Sequence, residues 1–320
     1  MTVPAVTPLP DASRPARSAG SARSAGSARS AGAAPELLGP GTLLWDLVGQ
    51  HLNAAATGSA FLLQVMHPAI GAVVGQRSTY RTDPWGRAAR SFASVQTWVY
   101  GGQTAIDEGH RLRRMHRTLD ATDEQGRYHH ALSADPWAWV PLTAYHATCN
   151  YSRYFMPDPL TDGQLEQAYG EVLRMCRILQ VPERNLPPTT TAYWTYFDDM
   201  VENVLENHPT AHQVLATAAQ APPMPGLPAP LRALWPVAGR VGAEVNRLVT
   251  VGGLPPAARD KLRIRWTRAD EVRLRAFGLA AGRVNAALPE RVRYMPIAYQ
   301  ARRTARAQQA LEHALDGRPM

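Results

Sequence analysis

From Pro35 onward, apolar positions in this chain recur every three or four residues, the spacing of helices with one buried face. Leu43, Leu44, Leu47 and Val48 open the pattern. A longer stretch, Leu52–Gly75, carries no Asp, Glu, Lys or Arg and is long enough to span a bilayer. Asn53, Gln64, His67 and Pro68 interrupt it, however, and polar or helix-breaking groups are costly in lipid. The stretch therefore predicts two buried helices broken at His67-Pro68, and no stable membrane insertion.

Helix starts are marked by their caps. Asp83-Pro84 and Asp135-Pro136 each place a capping carboxylate before a proline whose missing N–H costs nothing there. Thr104 is the expected cap after Gly101-Gly102, and Thr161 with Gln164 has capping-box spacing. TAYWTYFDDMVENVLEN reads as another amphipathic helix after Thr189–Thr191. The proline-rich APPMPGLPAP, residues 221–230, is a loop. Helical patterns then resume over Leu231–Val251, Pro255–Leu262, Arg268–Ala287 and Arg291–Ala314. No run alternates convincingly, so the expected fold is all-α.

Residues 1–35 repeat ARSAGS and hold nothing to bury, which predicts a disordered tail. The expected organisation is that tail, one helical domain over 36–295, and a C-terminal surface helix over 296–320. At 45% hydrophobic and 19% charged, the chain can bury a sizeable core. The formal charge is +8, of which the tail contributes +3. Lys261 is the sole lysine, so the arginines follow a compositional bias, and no basic run is interleaved with aromatics. That excludes nucleic acid as the expected partner. Cys149 and Cys176, the two cysteines, give neither a disulfide framework nor a CxxC metal site. No apolar leader precedes Leu37, and the expected location is cytoplasmic.

The chemistry-bearing residues are mostly histidines. His116 follows the stripe Leu112, Met115 and Leu119. It reads either as a haem ligand in an apolar pocket or as a helix-end histidine favoured by the macrodipole. His67 ends an apolar helix, and His146 lies in a helix that looks buried on most faces; each is a pocket-lining candidate or a structural histidine. Arg90, Ser94 and Thr97 share one helical face, suited to a propionate or to oxygen, or simply to solvent. His208 and His212 have metal-clamp spacing but lack the glutamate of HExxH, and Pro209 makes His208 a helix start. Asp198, Asp199 and Glu202 form a carboxylate cluster. With no GxSxG, P-loop or GxGxxG, serine hydrolase, NTPase and Rossmann readings lose their main support.

The run FLLQVMHPAIGAVVGQRSTYRTDPWGR, then YGG, RLRRMH, GRYHHALSADPWAWV, RYFMPDPLT and LPPAARDKLRIRWTRADEVRLRAF, resembles the MpaB-type oxygenases, which are similar to the latex-clearing rubber oxygenases. The likeness covers residues from about 40 to about 295, and its HP…DPWGR…H order is its most specific part. The resemblance implies a globin-like all-α core holding haem b, with His116 as the iron ligand. It makes Arg90, with Ser94 or Thr97, the pocket pair, and places His67, His146 and Arg113 about the cofactor. One departure stands out. Relatives carry a histidine where this chain has Pro141, and His146 is the nearby histidine here.

The expectation is thus a haem-dependent oxygenase acting with O2 on a hydrophobic, unsaturated small molecule. Two alternatives stay open: a helical protein that binds haem or a lipophilic ligand without turnover, and a non-haem iron enzyme. The latter would use His67, His116 or His146 with Asp198 or Glu202. A homodimer is the assembly left open.

Overall fold

The computed structural model describes residues 35–316; the tail expected over 1–35 lies outside the described residues except for Pro35. Helices α1 (Leu43–Leu47) and α2 (His51–Ala56) lead into α3 (Gly58–Met66) and α4 (Pro68–Arg77). A pair follows, α5 (Pro84–Tyr100) and α6 (Thr104–His116). Next comes a small antiparallel hairpin of β1 (Asp120–Thr122) and β2 (Tyr128–His130), with Asp120 opposite His130. The chain continues as α7 (Ala134–Phe155), α8 (Asp162–Ile178) and α9 (Thr190–Asp199), which runs into a π-helical turn at Met200–Val204. It then forms α10 (Pro209–Ala219), α11 (Ala229–Ala233) and α12 (Trp235–Gly252). The last elements are α13 (Pro256–Lys261), α14 (Arg268–Ala287), α15 (Glu290–Arg293) and α16 (Pro296–Asp316). The fold is all-α apart from the hairpin.

The centre is α7. Trp139, Leu142, Thr143 and Tyr145 are essentially inaccessible, and twelve of the other eighteen residues of this helix are buried too. A helix apolar on most sides needs neighbours on most sides, and α3, α8, α14 and α2 supply them. Trp139 Nε1 donates to the Leu63 carbonyl at 3.1 Å and Trp137 Nε1 to the Leu179 carbonyl at 2.9 Å. Each large ring thus satisfies its one polar atom while its body fills the core. On the α14 side, an added Cβ at Gly278 or Gly282 would lie 2.2 or 1.9 Å from the carbonyl oxygens of Tyr154 and Phe155. Only glycine allows α14 to come that close.

A buried carboxylate fixes the start of the core. Glu171 of α8, 2% exposed, accepts the Leu43 and Leu44 N–H groups at 3.0 and 2.7 Å, and Gln167 Nε2 at 2.9 Å. Two free N–H groups of α1 are thereby satisfied by a residue far away in sequence, at the positive end of the helix.

The expected break at His67-Pro68 is present as a bend of 101° between the preceding apolar stretch and α4, and among the described residues no single helix is long and apolar enough to cross a membrane. Two histidines cap helices that begin with proline. His67 Nδ1 accepts the Ala69 N–H at 3.2 Å and His208 Nδ1 accepts the Thr210 N–H at 3.1 Å. A ring nitrogen accepts only when unprotonated, so both caps require neutral imidazole. Burial, reinforced by His129 and His208 and opposed by Asp135 and Glu206, pushes the His67 pKa down to about 4.

The hairpin departs from the expected absence of strands. Its strands are three residues each, too short for alternation to register. Its turn is made by Asp123, whose Oδ1 accepts the Gln125 and Arg127 N–H groups, and by Gly126 at φ +78°. Thr104 is also not the cap of α6: Gln103 holds that position, and the Thr104 hydroxyl donates back to the Gly101 carbonyl at 2.8 Å. The C-terminal helix is mostly exposed, and it is tied to the rest of the fold at and just before its start. Ala298 is fully buried, Tyr294 Oη donates to the Asp46 carbonyl, and Arg302 pairs with both Asp46 and Glu290.

Two outcomes follow. Replacing Glu171 by Ala strands two helix N–H groups and should lower unfolding free energy by about 2–3 kcal/mol, measured by urea titration. A His67 pKa held below that of the unfolded chain stabilises fully above pH ~6.5 and is lost as pH falls towards 4. That loss amounts to about 3 kcal/mol. His67→Asn, which keeps an acceptor at the cap but does not titrate, should flatten the fall in melting temperature over that window.

Candidate functional site

A cavity of about 1680 Å³ lies between α5 and α6 on one side and α3, α4, α7, α10 and α12 on the other. Small-molecule pockets ordinarily measure roughly 300–1,000 Å³, so there is room for a large flat group together with a second ligand. The cavity arises from how α5 is held. This helix packs on α6 along its length and on α1, α8 and α16. Its inward residues Ala88, Ser91, Val95 and Trp98 face open space rather than a neighbouring helix. Phe61, Ile70, Val73, Val140 and Leu215 line the opposite side, so the lining is mostly apolar.

His116, at the last residue of α6, lines this space. Its Nδ1 lies 2.8 Å from the Leu112 carbonyl, which can only accept; the proton is therefore on Nδ1. Nε2 then carries the lone pair and makes no hydrogen bond to a described residue. Burial, with the positive charges of Arg87 and Arg111, pulls the His116 pKa below its ordinary value against the opposing effect of the Leu112 bond. The ring packs edge-on against Trp137, centroids 5.1 Å apart. The result is a neutral, oriented imidazole with one free donor atom, the state in which histidine binds metal.

Three charged residues around it carry the remaining electrostatics. Glu108 accepts the Ser94 hydroxyl at 2.6 Å and both arms of Arg111 at 2.6 and 2.7 Å. The Arg111 hydrogen bonds and that of Ser94 hold its pKa low despite burial. Arg87 differs. It donates to the Ser78 and Ser91 hydroxyls, is half-buried, and has no carboxylate partner among the described residues. Its burial depresses its pKa, which marks a cation short of counter-charge.

The expected site residues separate. Arg90, Ser94, Thr97 and His116 all line the cavity, whereas His67, His146 and Arg113 do not. Arg90 shares that lining with Ser94 and Thr97, but its guanidinium is engaged by Asp83 at 3.1 Å and Thr79 at 2.9 Å. Ser94 serves Glu108, and the Thr97 hydroxyl returns to the Ala93 carbonyl of its own helix. His67 is occupied as a cap. Arg113 reaches the Gln180 carbonyl at 3.3 Å. His146 donates from Nε2 to the Gly253 carbonyl at 2.8 Å and stacks on Phe197. Five residues along a helix is about 140° around it, so His146 faces away from the cavity that Pro141 lines.

His208 and His212 do not converge either, since His212 Nε2 meets Asn207 Oδ1 at 2.6 Å. Among the described residues no group of three His, Cys, Asp or Glu is placed to hold a metal ion. The carboxylates Asp198, Asp199 and Glu202 belong to no such group. The sequence reading missed Arg87, Glu108 and Arg111. Arg87 shares the face of Ser91, Ser94 and Trp98, a signal hidden by the more regular Arg90, Ser94, Thr97 series.

Comparison with known proteins places residues 45–283 on the family model described as "ER-bound oxygenase mpaB/B'/Rubber oxygenase, catalytic domain". Uncharacterized proteins of Mycobacterium bovis and Mycobacterium tuberculosis are each 27% identical over 158 residues, 49% of this chain. The match spans 57% of the length of those relatives. No solved structure matches at a significant level.

Proposed function

This chain belongs to the family of mpaB-type and rubber oxygenase catalytic domains, and we propose that it is a haem b-dependent oxygenase acting on a hydrophobic, unsaturated small molecule. The observation that carries the reading is His116: an imidazole in the lining of a large, mostly apolar cavity, with its Nδ1 engaged by Leu112 and its Nε2 left with a lone pair. The donor set fits haem. It offers one imidazole nitrogen that would hold the iron, an apolar space large enough for a macrocycle, and in Arg87 a guanidinium that would bind a propionate. The globin-like arrangement implied by the resemblance belongs to this proposal as well.

Haem supplies the oxygen-binding and redox chemistry. The chain's own residues set the conditions for it. Leu112 orients the His116 ring and raises its basicity through the Nδ1 bond. Trp137 fixes the ring edge-on and keeps water from it. Arg87, held by Ser78 and Ser91, would neutralise a carboxylate in the cavity. Glu108, already satisfied by Arg111 and Ser94, stays ionised and ties α5 to α6 rather than shuttling a proton. Apolar side chains such as Phe61, Ile70 and Val140 favour a hydrocarbon substrate.

Absorption spectroscopy of the protein supplied with haem tests this directly. A Soret band should appear, collapse or shift in His116→Ala, and return when imidazole is added. A protein that binds no haem would sink the proposal. Oxygen uptake with apolar alkenes separates turnover from mere binding. A second comparison separates the two arginines. Arg87→Met should weaken haem retention about tenfold, the worth of one charge-assisted pair, while Arg90→Met should leave it unchanged.

A further inference from the structure

On α12 one apolar row changes character along its length. Leu234, Val237, Val241, Val245 and Leu248 fall on one side of the helix. Val245 and Leu248 are packed, in a cluster with Leu274 and Tyr154. Leu234, Val237 and Val241 are 61%, 67% and 60% exposed, and Leu231 on α11 continues the bare row at 51%. Single exposed apolar residues are ordinary, but a continuous row that is buried at one end and bare at the other marks a surface made to be covered.

Charge points to what covers it. Between Ala221 and Ala243 the only charged side chains are Arg232 and Arg240; Arg232 donates to the Leu227 carbonyl at 3.2 Å, and neither forms an ion pair with a described residue. The first acidic residue, Glu244, comes at the far end of the bare stretch. A helix with an apolar row and flanking arginines suits the boundary between acyl chains and anionic headgroups, where the long arginine side chains reach outward. A second copy suits it less. A two-fold contact would place the same unpaired arginines against one another. Gly239 and Ala243, on the opposite side of this helix, line the cavity, as do Ala238, Arg240 and Gly242 between the two sides.

We propose that the bare row of α11 and α12 seats this protein peripherally on an anionic lipid surface, with the cavity directly behind the contact. The lipid contact stands independently of the haem assignment. An apolar substrate dissolved in the bilayer would then reach the cavity without crossing water.

The test is flotation of the full chain with vesicles of phosphatidylcholine alone and of phosphatidylcholine mixed with phosphatidylglycerol. Binding should require the anionic lipid and weaken in high salt. Leu234→Asp with Val237→Asp, and separately Arg232→Glu with Arg240→Glu, should each reduce it about tenfold or more. Val272→Asp, at an exposed valine on α14, should not. These side chains are exposed, so the variants should keep the parent's melting temperature. Absence of flotation, or flotation indifferent to both double variants, overturns the proposal. So does a dimer, seen by light scattering, that the aspartates dissolve, because the row would then belong to a second copy.

Discussion

A helix buried on nearly every face has to be surrounded, and the demand made by α7 organises this molecule. Its tryptophans and tyrosines cannot meet water without a large penalty, so α3, α8, α14 and α2 close around them. The glycines of α14 let one wall come to backbone contact. The Glu171 carboxylate anchors α1 to another. Where α7 faces α5 the packing stops, and the space left over is the cavity. The site is thus a consequence of where close packing ends, framed by elements that are themselves tightly held.

Electrostatics inside that space follow from which charges have found partners. Glu108 is saturated by Arg111 and Ser94, and Arg90 by Asp83 and Thr79. Arg87 alone among the cavity arginines of α5 and α6 has hydroxyls and no carboxylate. A half-buried cation without counter-charge costs stability in the empty protein and returns it when an anion arrives. His116 is prepared in the same way, desolvated and kept neutral before any ligand binds. The two residues share a logic: each holds its binding state in advance.

Helix positions were legible in the sequence because capping chemistry is local. Asp83-Pro84, Thr161 with Gln164 and the break at His67-Pro68 all needed only neighbouring residues to be read. His116 was legible as a candidate for a similar reason, its place after an apolar stripe. Rotation about a helix axis was not. Arg87 and Arg90 lie three residues apart in a run of small and polar side chains, and which of them keeps a carboxylate partner is decided by Asp83 capturing Arg90. The orientation of His146 was not legible, because burial on most faces does not say which way a ring points; its partner, the Gly253 carbonyl, is more than a hundred residues away. The hairpin escaped because three-residue strands carry no period.

The family match ends at residue 283, yet α16 lies beyond it and packs against α5, the outer wall of the cavity. Arg302 reaches back 256 residues to Asp46. Contacts of that separation form late, because the whole intervening chain must exist first. During synthesis the core around α7 can therefore assemble while its outer wall still lacks support. The outer wall of the cavity therefore gains its last support only once α16 has left the ribosome.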